Sequence, residues 1–171
     1  MTMIKLIDQL VWVPAAAEIQ IEKAWIISSI KKLGVKKIQA LAKVASNARR
    51  LSYSPYSGYG VGVGLLTASG VISKGVNAEV ASYSETDHAE ESSITGAIIH
   101  GEIKKSGRKF IVAIAVSHDG DTAPCGRCRQ IIVEHCDNAL VIVADPKGKI
   151  RRITSVKILL PYAFTPSDLG K

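Results

Sequence analysis

Two short segments hold the residues whose types and spacing could perform chemistry. The first contains His88 and Glu90 on either side of an alanine, and the second is a Pro-Cys-x-x-Cys segment with Cys125 and Cys128. Both fall at predicted helix N-termini, where the positive end of the helix dipole favours thiolates. Cysteines three residues apart lie on one face of a helical turn. One imidazole and two thiolates are ligands that zinc accepts, which predicts a metal site.

Three protein ligands would leave the fourth tetrahedral position of the metal open, as in a catalytic zinc centre. A water molecule bound there can have a pKa of about 7. Glu90 lies two residues beyond His88, so it can take the proton of that water and pass it on. A closed structural site needs a fourth ligand, and no remaining candidate has a convincing spacing: His100, His118, His135 and Cys136. We expect Cys136 to be a buried small residue.

The elements that must position these residues form a pattern of alternating helices and strands. Apolar residues at steps of seven, four and three predict a first helix that ends at Gly34: Ile19, Ile26, Ile30 and Leu33. A second helix, a β-hairpin, a helix capped by Thr86 or Asp87, and a basic loop at 104–109 follow in that order. A strand, a helix and two strands come next. This order predicts an α/β protein, in which helices cover both faces of a mixed sheet.

Composition limits the classes of protein to which the chain could belong. Its 171 residues, 47% hydrophobic and 22% charged, suit one globular domain, and no apolar run approaches the roughly 20 residues of a membrane span. Three cysteines, two of them in a C-x-x-C, argue against a disulfide framework. A thiolate metal site fits a reducing compartment, so we expect a cytoplasmic protein.

The net charge of +7 is concentrated in the first third of the chain. Residues 1–50 contain nine Lys and Arg against three Asp and Glu, whereas the remainder contains thirteen against twelve. Nucleic acid or another acidic surface could bind the basic part. The near-neutral remainder is unlike a nucleic-acid groove, so we expect no nucleic-acid partner.

From about residue 48 to residue 169 the chain resembles the cytidine deaminases, the zinc-dependent nucleoside deaminases. Five segments agree with that family in order and spacing: P-Y-S at 55–57, G-V-N-A-E at 75–79, H-A-E at 88–90, P-C-G-R-C-R-Q at 124–130 and L-L-P-Y-A-F at 159–164. The resemblance implies a three-layer α/β/α fold around a central five-stranded mixed sheet. It also implies that residues 1–35 form an N-terminal helical extension and that residues 36–171 form the catalytic domain.

The resemblance also implies roles for residues outside the metal segments. Asn77 and Glu79 would hold the ribose, and Tyr59 would face the base. The Ala89 N–H would bind the base, together with a backbone carbonyl of the second metal segment. Phe164 would stack on a base bound in a neighbouring subunit. The shared pocket requires a homo-oligomer, with a homotetramer favoured for so short a catalytic domain and a homodimer as the alternative.

The activity implied by the resemblance is hydrolytic deamination of cytidine and deoxycytidine to uridine and deoxyuridine, with release of ammonia, as in pyrimidine salvage. Water activated by zinc would attack C4, and Glu90 would carry protons to N3 and to the leaving amine. One alternative is a deaminase of aminonucleoside antibiotics similar to blasticidin S deaminase. A polynucleotide deaminase and an inactive zinc-stabilised binding protein are further alternatives.

Three features depart from the usual short form of the family. His88 stands where short members usually have cysteine, and Glu91 stands where they often have arginine. The two differences fit together, because zinc with two thiolates and a neutral imidazole sums to zero charge and needs no compensating arginine. The N-terminal extension is the third departure. We expect residues 1–34 to pack on the catalytic domain or across a subunit interface.

Overall fold

The structure is a computed structural model that describes residues 18–170. Residues 1–17, which include Trp12 of the extension, and Lys171 lie outside the described residues. The strands are β1 (Gly62–Thr67), β2 (Ile72–Val76), β3 (Ile111–Ser117), β4 (Leu140–Ala144) and β5 (Ile150–Ser155). The helices of the described residues are α1 (Glu18–Leu33), α2 (Val35–Arg49), α3 (Ala89–Ile99), α4 (Glu102–Ser106), α5 (Gly126–Glu134) and α6 (Val156–Leu159).

The five strands form one mixed sheet in the order β2-β1-β3-β4-β5. The pair β3–β4 is parallel, and the other three pairs are antiparallel. Side chains of β3 alternate between two hydrophobic clusters: Ala113 and Ala115 face α1 and α2, whereas Ile114 and Val116 belong to the cluster with α3 and α5. Helices therefore cover both faces, and the predicted three-layer fold is confirmed.

Helix α1 lies within the predicted N-terminal extension and packs against the second helix and the sheet. Ile26 and Ile30 are fully buried in the cluster that α2 shares with β4 and β5. Burying each isoleucine stabilises the fold by about 1.5–3 kcal/mol. Glu22 Oε2 also accepts hydrogen bonds from Asn138 Nδ2 at 3.0 Å and Ser155 Oγ at 2.7 Å. None of the helices in the described range is long and apolar enough to cross a membrane.

Two glycines allow helices to lie unusually close to the sheet. A Cβ at Gly62 would collide with the backbone of Ala45 and Arg49, so this glycine lets α2 approach β1. A Cβ at Gly75 would collide with the carbonyl oxygen of Ala89 at the start of α3. The N-terminus of α3, which carries the first metal segment, is therefore held directly against β2.

Helix α3 does not begin as the sequence predicts. The prediction of a cap at Thr86 or Asp87 is wrong, and His88 is the N-cap residue. Asp87 and Ala78 exchange backbone hydrogen bonds at 3.0 and 3.1 Å in an isolated antiparallel bridge. This pairing keeps Asp87 extended and delays the helix by one residue.

The predicted basic loop at 104–109 is also partly wrong, because its first residues belong to α4. The chain turns through Gly101, which has a φ of +84°, and resumes a helix at Glu102. The Glu102 carboxylate is fully buried and accepts hydrogen bonds from Ser69 Oγ, at 2.8 Å to each oxygen. A partner 33 residues away in the sequence thus stabilises a turn that no local pattern predicts.

Candidate active site

The two metal segments meet because α3 and α5 start at the same end of the sheet. His88 is the N-cap residue of α3, and Cys125 is the N-cap residue of α5. Cys128 lies in the first turn of α5 and is buried. The two helices pack against each other, so their N-termini converge.

The three predicted ligands form one compact group. His88 Nδ1 lies 3.1 Å from Cys128 Sγ and 3.4 Å from Cys125 Sγ, and all three donor atoms lie within 4.8 Å of one another. Zinc bonds of about 2.0–2.3 Å in a tetrahedron place neighbouring donors about 3.3–3.8 Å apart. The group could therefore hold a metal ion with little movement, and its nitrogen and sulfur donors are those that zinc prefers.

Burial changes the pKa values of two acids in and beside the group. Burial raises the pKa of the Cys128 thiol, and the nearby Glu90 carboxylate raises it further. Burial likewise raises the pKa of Glu90, which is 4% exposed, although its hydrogen bonds and the adjacent histidines act in the opposite direction. Two acids that resist ionisation beside each other are stabilised as anions by a divalent ion.

Cys136 lies apart from this group. It is 4% exposed, packs in the cluster formed with α3 and α5, and donates a hydrogen bond from Sγ to the Ile132 carbonyl at 3.3 Å. Burial raises the pKa of its thiol to about 12. The prediction of a buried small residue is confirmed.

A cavity of about 370 Å³ opens over the three donor atoms, a size that suits a small organic ligand. Its wall contains five of the other residues singled out in the sequence: Tyr59, Asn77, Glu79, Ala89 and Glu90. Phe164 is not among the residues that line this cavity. Its side chain is 59% exposed, and its carbonyl accepts a hydrogen bond from Gln130 Nε2 at 2.7 Å.

Glu79 is tied to the loop that precedes β1. Its Oε2 accepts backbone N–H groups from Tyr56 at 3.0 Å and Ser57 at 3.1 Å, and its Oε1 accepts a short hydrogen bond from Ser57 Oγ. The Ser57 hydroxyl, with the two backbone donors, lowers the pKa of Glu79 against the opposing effect of burial. The carboxylate is therefore ionised at neutral pH and holds the loop against the cavity.

Asn77 supports the same loop from the end of β2. Its Oδ1 accepts a hydrogen bond from the Val61 N–H at 2.7 Å, and its Nδ2 donates to the Tyr59 carbonyl at 3.0 Å. One Nδ2 hydrogen and one Oδ1 lone pair stay available to a ligand. Asn77 and Glu79 thus shape the cavity wall in addition to facing the cavity.

The sequence did not predict a role for His118 in the cavity. This histidine is 4% exposed, and its Nε2 lies 2.9 Å from the Thr122 carbonyl, to which it must donate. In a neutral ring Nδ1 then accepts from Tyr59 Oη at 2.8 Å. Both ring nitrogens are occupied, so His118 is not a fourth metal ligand. Its contacts hold Tyr59 against the loop that leads to Cys125.

A family model described as the zinc-binding region of cytidine and deoxycytidylate deaminases matches residues 35–144. The chain belongs to this family. A cytidine deaminase of Halalkalibacterium halodurans is 40% identical over 135 residues, which cover 77% of this chain and 97% of the relative. A cytidine deaminase of Sporosarcina psychrophila is 37% identical over 135 residues, covering 78% and 95%.

Solved cytidine deaminase structures have the same fold. The 1.6 Å crystal structure of the Burkholderia pseudomallei cytidine deaminase superposes with a TM-score of 0.66 at 36% identity, covering 73% of this chain and 97% of that one. The Mycobacterium leprae enzyme gives a TM-score of 0.57 at 35% identity, covering 71% and 95%. The chain is therefore an enzyme, a deaminase of the cytidine deaminase family, and its His-Cys-Cys group lies in a region that the family uses to bind zinc.

The lowered pKa of Glu79 predicts a pH-dependent contribution to stability. Because the ionised form is favoured in the fold, the contribution is complete above the usual value near 4.5 and is lost as the pH falls through the lowered value. Glu79→Gln should therefore lower the free energy of unfolding at pH 7, and the difference from wild type should shrink towards zero in strong acid. Urea unfolding of the metal-free proteins at several pH values measures both differences.

Glu85→Gln is the matched control, since Glu85 is exposed in the short turn Tyr83–Glu85 that follows Glu79 in the chain. It should leave the free energy of unfolding unchanged at every pH. An equal loss of stability at pH 7 and in acid for Glu79→Gln would show that the ionised carboxylate does not hold the loop.

Proposed function

We propose that the enzyme hydrolyses cytidine and deoxycytidine to uridine and deoxyuridine with release of ammonia, using zinc held by His88, Cys125 and Cys128. One observation carries this proposal: the three donor atoms and the buried Glu90 share a cavity with the polar side chains of Asn77 and Glu79. The groups that could activate water and the groups that could bind a sugar are therefore close enough to contact one small molecule.

The chemistry divides between the metal and Glu90. When bound, zinc supplies a Lewis acid that makes water a nucleophile at neutral pH. Glu90 takes a proton from the attacking water, delivers one to N3 of the base, and later protonates the leaving amine. Its burial and raised pKa suit a group that must both accept and release a proton. The balance is one water consumed and one ammonia released.

Recognition of the base would use backbone groups at the two helix N-termini. The Ala89 N–H belongs to the first turn of α3, where amides have no carbonyl partner within the helix, so it can donate to O2. The Cys125 carbonyl accepts the Arg129 N–H at 3.0 Å and keeps a second lone pair for the exocyclic amine. Tyr59 would face the base, in the position that its hydrogen bond to His118 defines.

We also propose that the active enzyme is a homo-oligomer, with a homotetramer favoured and a homodimer as the alternative. It would act in the cytoplasm, in pyrimidine salvage. The exposure of Phe164, and its position outside the cavity lining, support the idea that it closes a neighbour's pocket. Residues 1–35 would act as an extension of a catalytic domain at 36–171. A reducing cytoplasm keeps the thiol ligands available.

Glu90→Gln tests the assignment of the proton carrier. The variant should retain zinc and bind cytidine, because the amide is nearly isosteric with the carboxylate. It should lose at least the roughly 10²–10⁴-fold that acid–base catalysis contributes, because an amide carries no proton between water and N3. Ammonia release from cytidine by the zinc-loaded proteins measures the loss.

The same assay with blasticidin S, free cytosine and single-stranded DNA serves as the specificity control. The wild type should prefer cytidine and deoxycytidine to all three. Near wild-type turnover by Glu90→Gln would contradict the mechanism, and faster turnover of blasticidin S or DNA would contradict the proposed substrate.

A mixture of two impaired variants tests the shared pocket. Phe164→Ala keeps Glu90, whereas Glu90→Gln keeps Phe164. If Phe164 completes the pocket of another subunit, subunits exchanged between the variants should form some complete sites and regain activity. The activity of the mixture after mild unfolding and reassembly, compared with the sum of the separate proteins, measures this. Activity no greater than that sum, or an active monomer by light scattering, would overturn the proposal.

A further inference from the structure

A side-chain bridge links the two metal segments outside the ligand group. Arg127, between the two cysteine ligands, donates from Nε at 3.1 Å and from Nη2 at 2.8 Å to Oε1 of Glu91. The other oxygen of Glu91 accepts the backbone N–H of His88 at 3.2 Å. A continuous chain of contacts therefore runs from α5, through Glu91, to the backbone of the histidine ligand.

We propose that Glu91 and Arg127 are a positioning pair, which holds the histidine segment against the Cys-x-x-Cys helix and thereby slows the release of zinc. The proposal rests on the zinc site of the proposed function. Neither side chain belongs to the ligand group, and neither lines the cavity. The pair would act on zinc only through the positions of the ligands.

The geometry of the contact favours positioning over general stabilisation. Glu91 lies in the first turn of α3 and is 18% exposed, whereas Arg127 lies in the first turn of α5 and is 51% exposed. An ion pair with so much exposure contributes little to overall folding. Both guanidinium bonds end on one carboxylate oxygen, which leaves the other free to fix His88.

Charge explains why a carboxylate suits this place. The N-termini of α3 and α5 converge here, and each carries a partial positive charge from its helix dipole. The Glu91 carboxylate lies between them and lowers their mutual repulsion. Arg127 neutralises that carboxylate, so the pair adds no net charge beside the ligands. An arginine at 91, which short members of the family often have by the resemblance above, would instead meet Arg127 as a like charge.

The loss of outer partners of metal ligands commonly costs about 10–100-fold in metal affinity. We expect a loss near tenfold here, at the low end of that range, because Arg127 is half exposed. Zinc-loaded Glu91→Ala should release zinc to a chromogenic chelator about tenfold faster than wild type. Arg127→Ala should show a smaller increase, because Glu91 still holds the His88 N–H. The double variant should stay close to Glu91→Ala, since Arg127 then keeps only a long contact of 3.5 Å from Nη1 to the Ser84 carbonyl.

High salt and a conservative variant separate the contribution of the Glu91–Arg127 ion pair from that of the hydrogen bond to the His88 N–H. High NaCl should accelerate release from wild type towards the rate of Arg127→Ala and leave that variant nearly unchanged. Glu91→Gln keeps an acceptor for the His88 N–H and should fall between wild type and Glu91→Ala. Arg151→Ala is the matched control, since Arg151 of β5 pairs with Asp145 at 3.9 Å with similar exposure, and neither residue belongs to the ligand group or lines the cavity. It should release zinc at the wild-type rate.

Urea unfolding of the zinc-free proteins tests whether the effect is confined to the metal. The midpoint of Arg127→Ala should stay at that of Arg151→Ala. The midpoints of the Glu91 variants should fall only by the small amount that loss of the capping-box hydrogen bond to the His88 N–H costs. A much lower midpoint, additive release rates in the double variant, or unchanged release rates would each overturn the positioning pair while leaving the proposed function intact. A wild-type chain that takes up no zinc would overturn the proposed function and this proposal together.

Discussion

The convergence of two helix N-termini at one end of the sheet is the constraint on which the site depends. Each N-terminus carries unpaired N–H groups and a partial positive charge, so the space between them favours anions and electron-pair donors. His88 and Cys125 cap these helices, and their donor atoms meet there. The three donor atoms and the Glu91–Arg127 bridge lie at this one electropositive junction, and the proposed recognition of the base would use it as well.

Close packing of the helices on the sheet makes the convergence possible. Gly75 has no side chain, so α3 lies directly against β2, and the opposite face of the sheet is sealed by α1 and α2. Burial of the junction has an electrostatic consequence. It raises the pKa of both Cys128 and Glu90, so the site disfavours their ionised forms unless a cation is near. A metal ion that binds the group would therefore displace the proton of the Cys128 thiol.

The sequence predicted the parts of the molecule that depend on local patterns. The ligand spacing and the succession of helices and strands along the chain are of this kind, and the fold and the approach of the three donor atoms agree with them. Asn77 and Glu79 came from the resemblance alone, and the structure adds that both hold the loop before β1. His118 and the start of α4 were missed because their partners, Tyr59 and Ser69, lie far away in the sequence. No periodicity or spacing records such long-range hydrogen bonds.

The central claim is an open site with one imidazole and two thiolates, and zinc-edge X-ray absorption of the loaded protein tests it most directly. The account predicts two sulfur neighbours at about 2.3 Å, with His88 nitrogen and one non-protein oxygen at about 2.0–2.1 Å. Cys128→Ala should reduce the sulfur count by one, whereas Cys136→Ser should leave it at two. Three sulfur neighbours in the wild type, or a loss of sulfur in Cys136→Ser, would contradict the account.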